Sequence, residues 1–175
     1  MKPIVIQNNC TGYNISCDSV PSGIPIMHGT PATFPRGVPG FESIRQWRFV
    51  ANAAVHPFVY MEAEEEDVRF VCVEVFCICP GYTLHLPYPV AEALGITAES
   101  HIAVLSVVTL GDTPENTTAN LMSPLVINLD AGVGEQTIPE RSAYPLKFRI
   151  WDHLCGEDGR GQYEEHPRSV TVGGA

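Results

Sequence analysis

The side chains of this chain that could do chemistry fall in three places. The first is acidic. Glu62, Glu64, Glu65, Glu66 and Asp67 place five carboxylates in six positions. Like charges this close are tolerated where water and ions screen them, so the run belongs on a loop or a hairpin tip. The plain reading is a solvated turn. The functional reading is an electrostatic attractor for a basic partner. The second place is rich in thiols. Cys77 and Cys79 stand two positions apart and, with His85, could offer three ligands to a metal ion. Cys-X-Cys is not the usual spacing of a structural zinc site, and no second cysteine pair follows. Buried thiols acting as small hydrophobes are therefore the favoured reading. The third place is Asp152-His153-Leu154-Cys155, which sets a thiol beside a base. A nucleophile and its base must meet in space, not in sequence, so this stretch argues only weakly for an enzyme. No phosphate-cradling glycine loop, HExxH or GxSxG occurs.

The elements that must position these groups are short. Fifteen glycines and fifteen prolines in 175 residues exceed the roughly 21 that average usage predicts for the two together. Proline is excluded from helix interiors and central strands. The expectation is an all-β or β-dominated domain with short loops, with helix only between prolines. Hydrophobic residues make up 45% of the chain, enough for a packed core. A formal net charge of −10 argues against general nucleic-acid binding and against docking on an anionic membrane surface. The longest nearly apolar stretch, Phe70 to Pro80, is far shorter than a membrane span. With no signal-like opening and six cysteines scattered through the chain, including Cys10, Cys17, Cys72 and Cys155, a soluble cytoplasmic setting with reduced thiols is expected.

Residues 1–33 read as a first strand at Ile4-Val5-Ile6 followed by an irregular arm. Residues 34–151 read as the β domain, and 152–175 as a mobile tail. Phe34 to Glu42 is a tight proline- and glycine-rich turn, with Phe34 and Phe41 expected to bury their rings on either side. Gln46 to Val50 and Phe58 to Met61 read as strands, with a loop at Asn52 to His56. Arg69 to Cys79 reads as one central strand, apolar on both faces by the period of two. Its exception, Glu74, is expected to reach a cation or an edge, because an unpaired buried carboxylate is expensive. Pro89 to Gly95 is the clearest helix, with proline in its first turn and glycine as its cap. His101 to Leu110, Leu125 to Asn128, Glu135 to Ile138 and Leu146 to Ile150 read as further strands. Asn120 and Asn128 sit at turn and strand ends, where asparagine bonds local backbone.

Two longer motifs carry a resemblance. Phe34-Pro35-Arg36-Gly37-Val38-Pro39-Gly40-Phe41-Glu42 resembles the opening signature of the flagellar assembly factor FliW family. Thr117-Thr118-Ala119-Asn120-Leu121-Met122-Ser123-Pro124-Leu125-Val126-Ile127-Asn128 resembles its second signature. His56-Pro57-Phe58, Pro80-Gly81-Tyr82, Gln136 and Tyr144-Pro145 match in the same order, so the similar region runs over 34–150. The resemblance implies a compact antiparallel β-barrel-like domain, here with one or two short helices, and no catalytic activity or cofactor. It also implies two protein partners. One is the carbon storage regulator CsrA, a small basic RNA-binding dimer that represses flagellin translation. The other is flagellin, whose occupancy of the factor releases the regulator. In that setting the steering candidates are Glu62, Glu64, Glu65, Glu66 and Asp67. The candidates for contacts that set lifetime are Phe58, Tyr60, Met61, Leu121 and Met122, with Asn120 beside them as a further partner-binding candidate. A metal- or thiol-dependent enzyme and a small-ligand barrel are the alternatives from other classes.

Overall fold

The computed structural model describes residues 4–7, 28–98, 100–139 and 142–154. Cys10, Cys17 and Cys155, most of the arm and nearly all of the tail lie outside the described residues. The strands are β1 (Ile4–Gln7), β2 (Thr30–Thr33), β3 (Gln46–Ala51), β4 (Phe58–Ala63), β5 (Arg69–Glu74), β6 (Thr83–Leu86), β7 (Ile102–Thr109), β8 (Thr118–Ala119), β9 (Leu125–Asn128), β10 (Val133–Gln136) and β11 (Phe148–Arg149). Among the described residues α-helix is confined to short segments, α1 (Val75–Ile78), α2 (Tyr88–Ala93) and α3 (Trp151–Leu154).

Seven strands close a barrel in the order β7-β5-β4-β3-β2-β10-β9, with β9 returning to β7. Every neighbour in the ring is antiparallel except β2 and β10, which meet in parallel with Thr33 opposite Val133. β2 lies in the segment read from sequence as arm. Strand β7 is long enough to serve two neighbours along one edge. Ile102–Leu105 pairs with β9, and Val108–Thr109 pairs with β8, which in turn carries β11. A separate ribbon pairs β1 with β6.

Alternation sorts the apolar side chains into two cores. Phe34, Trp47, Phe49, Val59, Met61, Cys72, Leu105, Leu125 and Ile127 fill the barrel. Their neighbours Val73, Val104, Val108 and Val126 point outward and are covered by α1, β6, α2 and the segment ending at Ile150. Hence β5, β7 and β9 are apolar on both faces, while β3 alternates buried with exposed residues. The mouth by β2 and β10 is closed by local chemistry. Arg36 pairs with Glu135, Thr33 donates its N–H to the Gly132 carbonyl at 2.8 Å, and the Phe34 ring lies against Gly134, where a Cβ would come within 2.6 Å.

Several expectations need correction. The run Arg69 to Cys79 is a strand only to Glu74; Val75–Ile78 turns into α1 and lays four buried side chains on the outer core. Periodicity could not separate these, because a run buried on all sides reads alike as strand or helix. Cys77 and Cys79 therefore share no strand face with Val73. Among the described residues Glu74 pairs with no cation, and it is buried rather than at an edge. It is 8% exposed, accepts a 3.9 Å contact from Cys77 Sγ, and burial pushes its carboxyl up to about 7. Phe41 is not buried; it stands 36% exposed, its ring edge-on to Phe70 at 5.1 Å. The helix begins at Tyr88, with Gly95 (φ +61°) just beyond its end. Strand β7 stops at Thr109, leaving Leu110 exposed. The predicted strands at 135–138 and 146–150 lie at Val133–Gln136 and Phe148–Arg149. Within the stretch read as a loop, Ala53–Val55 forms a 3-10 turn whose Ala54 N–H is capped by Asn52 Oδ1 at 2.9 Å.

Candidate partner-binding surface

The outer faces of β3 and β4 lie outside the cover that hides β5, β7 and β9. Alternation on β4 sends Val59 and Met61 into the barrel and Phe58, Tyr60 and Glu62 outward. The register places Tyr60 opposite Val71 and Glu62 opposite Arg69. The hairpin joining β4 to β5 carries the acidic run at its tip, with Glu64, Glu65, Glu66 and Asp67 exposed. Two of its acids are neutralised locally. Glu62 takes the Arg69 guanidinium at 2.8 Å, and Glu64 takes that of Arg48 at 3.5 Å. Arg69 also lies 5.3 Å above the Tyr60 ring. Among the described residues, Glu65, Glu66 and Asp67 have no ion pair, so the tip presents an uncompensated negative charge. Exposed pairs of this kind contribute about 0–1 kcal/mol each, which makes them weak as fasteners and useful for attraction at a distance.

Next to this hairpin the same face opens into a groove of about 410 Å³. Phe58, Tyr60 and Val71 form its floor, the Leu110–Thr117 connection forms one wall, and Trp151 closes the end. The connection is a turn that ends in a 3-10 helix at Pro114–Asn116. It is anchored where the Gly111 N–H donates to Thr117 Oγ1 at 3.2 Å. The rings of Phe58 and Trp151 lie 6.4 Å apart.

The predicted contact residues thus divide. Phe58 and Tyr60 come together in the groove, beside the acidic tip. Met61 and Leu121 are fully buried, and their side chains belong to packing: Met61 fills the barrel and Leu121 the outer core. Met122 is 38% exposed but is not among the groove's lining residues. Asn120 Oδ1 accepts from the Ser123 N–H at 3.0 Å. Asn128 ties the end of α2 to the β9–β10 turn. Its Nδ2 donates to the Leu94 and Gly95 carbonyls (2.9 and 3.2 Å), and its Oδ1 accepts from the Asp130 and Ala131 N–H groups (3.1 and 3.3 Å). Sequence reading missed Val71, Leu110, Asp112 and Trp151 as groove residues. The only local signal was the Gly111-Asp112-Thr113-Pro114 turn, which says that the chain bends but not what it bends against.

The metal alternative finds no ligand cluster: among the described residues no three His, Cys, Asp or Glu side chains gather to hold an ion, and Cys155 of the thiol-and-base stretch lies outside those residues. His85 is exposed on β6, whereas Cys77 and Cys79 are buried. Burial pushes the Cys72 thiol up to about 12 and the Cys79 thiol up to about 11, opposite to the shift that activates a nucleophile. Asp152 pairs with Arg149 at 3.2 Å. No helix among the described residues is long and apolar enough to cross a membrane.

The comparisons with known proteins agree with this architecture. The family model described as FliW protein matches residues 23–150. The flagellar assembly factor FliW of Anoxybacillus flavithermus is 34% identical over 122 residues, which span 68% of this chain and 82% of that protein. The flagellar assembly factor FliW of Moorella thermoacetica is 31% identical over 127 residues, 71% of this chain and 80% of that protein. A crystal structure of the flagellar assembly factor FliW superposes with a TM-score of 0.63 at 30% identity, covering 70% of this chain and 86% of that one.

Proposed function

Because the chain belongs to the FliW family of flagellar assembly factors, we propose that it acts in the cytoplasm by binding other proteins and catalyses nothing. Its partners in this reading are the carbon storage regulator CsrA and flagellin. Flagellin occupies the factor while it accumulates inside the cell, and its export frees the factor to capture the regulator. The observation that carries the reading is the acidic hairpin tip, with Glu65, Glu66 and Asp67 uncompensated. A small basic RNA-binding dimer meets such a tip with long-range attraction, which raises the association rate more than the lifetime. The −10 charge of the whole chain acts in the same direction.

The switch needs no special device. If flagellin weakens regulator binding by some factor, the regulator weakens flagellin binding by the same factor. Overlapping footprints on one face produce this without a change of shape. The test is calorimetric titration of the purified full chain with each protein and then with both. Binding to each alone, with one displacing the other, is expected. Failure to bind either overturns the proposal.

A further inference from the structure

The groove beside the hairpin has a chemistry more particular than that of an apolar dent. Its floor is Phe58 and Val71, and Leu110 stands at its edge 68% exposed. A leucine so exposed loses its contact with water only when something covers it. At the closed end, the Trp151 Nε1–H is cut off from water and has no acceptor among the described residues. The rim is acidic. Asp112 lines the groove, and Glu115 sits in the adjoining 3-10 turn. The arginines at this end are already engaged, Arg69 by Glu62 and Arg149 by Asp152, with Arg149 also attracting Glu115.

We propose that this groove is the docking site for a short amphipathic polypeptide segment with one or two bulky apolar side chains flanked by Lys or Arg. The apolar side chains sit on Phe58 and Val71 under Leu110. The flanking cations meet Asp112 and Glu115, and the segment covers the Trp151 ring where it lines the groove. Charge complementarity selects this occupant, since an acidic rim repels nucleic acid and anionic lipid headgroups alike. The volume fits it too. About 410 Å³ lies within the roughly 300–1,000 Å³ of ligand-sized clefts, room for a few side chains. This inference rests on the reading that the chain works by binding proteins, and it separates two tasks. The hairpin tip attracts, and the groove holds.

The chain has two tryptophans, Trp47 and Trp151, so the ¹⁵N-labelled protein shows two indole N–H resonances. Trp151→Phe assigns one of them. The other is an internal reference, because Trp47 Nε1 donates to the Ile44 carbonyl at 3.3 Å inside the protein. The full chain is titrated with purified carbon storage regulator and, separately, with purified flagellin. With at least one of them the Trp151 resonance moves or broadens while that of Trp47 stays. Leu110→Ser, at an exposed position, weakens that partner by about tenfold or more, the scale of an anchor residue, with an unchanged thermal melt. Asp112→Asn with Glu115→Gln weakens it less and reduces its salt dependence. If a partner binds while the Trp151 resonance stays still and Leu110→Ser binds as tightly as the parent, the groove assignment is wrong and the functional reading stands. If neither protein binds, both fall together.

Discussion

Replacing Glu74 with glutamine removes one titration from the interior, and its effect on stability can be worked out in advance. Glu74 ends β5 and is 8% exposed, with Cys77 Sγ 3.9 Å away. Burial raises its carboxyl from an ordinary 4.5 to about 7, and the Cys77 contact opposes that rise without cancelling it. At about 1.4 kcal/mol per pH unit of difference, the gap corresponds to roughly 3 kcal/mol. The sign follows from proton counting. Between about pH 4.5 and 7 the folded chain holds a proton that the unfolded chain has released, so stability falls as pH rises through that window. Below it both states are protonated and the full contribution is present; above it the loss is complete. Glu74→Gln stays neutral throughout and lacks this slope. Urea denaturation of parent and variant at steps from about pH 5 to about pH 8 gives the difference directly, and every other titrating group cancels in the subtraction. The variant is expected to gain on the parent by about 2–3 kcal/mol across the series, most of it below about pH 7. A difference that stays flat within about 0.5 kcal/mol would refute the reasoning, since it would mean that Glu74 stays as well solvated in the folded chain as in the unfolded one.

Three more perturbations have defined outcomes. Glu65→Gln, Glu66→Gln and Asp67→Asn together slow association with a basic partner several-fold at low salt and flatten its salt dependence, with little change in dissociation; stopped-flow mixing at two ionic strengths reads both. Gly134→Ala drives a methyl group to within 2.6 Å of the Phe34 ring, and overpacking of this kind destabilises by about 1–3 kcal/mol, seen as a lower urea midpoint. Asn128→Ala strands two carbonyls and two N–H groups between α2 and the β9–β10 turn. A loss of about 2–4 kcal/mol in the same assay is expected, and a loss under about 0.5 kcal/mol would mean that water replaces the amide.

What could be read from the sequence was what depends on near neighbours. Leu125–Asn128 was bounded correctly because three strand-prone residues lie between Pro124 and Asn128, whose side chain opens the turn that follows. The acidic run sits at a hairpin tip because charge repulsion leaves few other places for it. The failures share one cause. Val75–Ile78 continues the apolar run of Arg69–Glu74, and what separates them is the outer core that receives the helical turn, assembled from β6 close by and from β8 and β11 far along the chain. Met61 and Tyr60 are adjacent in sequence, yet one lies inside the barrel and the other in the groove; only the β4 register decides which. The groove was not legible at all. Its floor and its wall are some fifty residues apart in the chain, and Trp151 joins them from a third segment.

The single parallel meeting of β2 and β10 has a consequence for how the molecule is made. Thr33 and Val133 are a hundred positions apart, so the ring cannot shut until nearly the whole β region has left the ribosome. The β3–β4–β5 meander, built from sequence neighbours, can form early as a curved sheet with its inner face bare. Phe34, Trp47 and Phe49 then wait for Leu125 and Ile127 to arrive from the far end of the chain. During that interval the nascent chain carries a sticky apolar hollow, and β9 and β10, the last strands of the ring to be synthesised, are the ones that seal it.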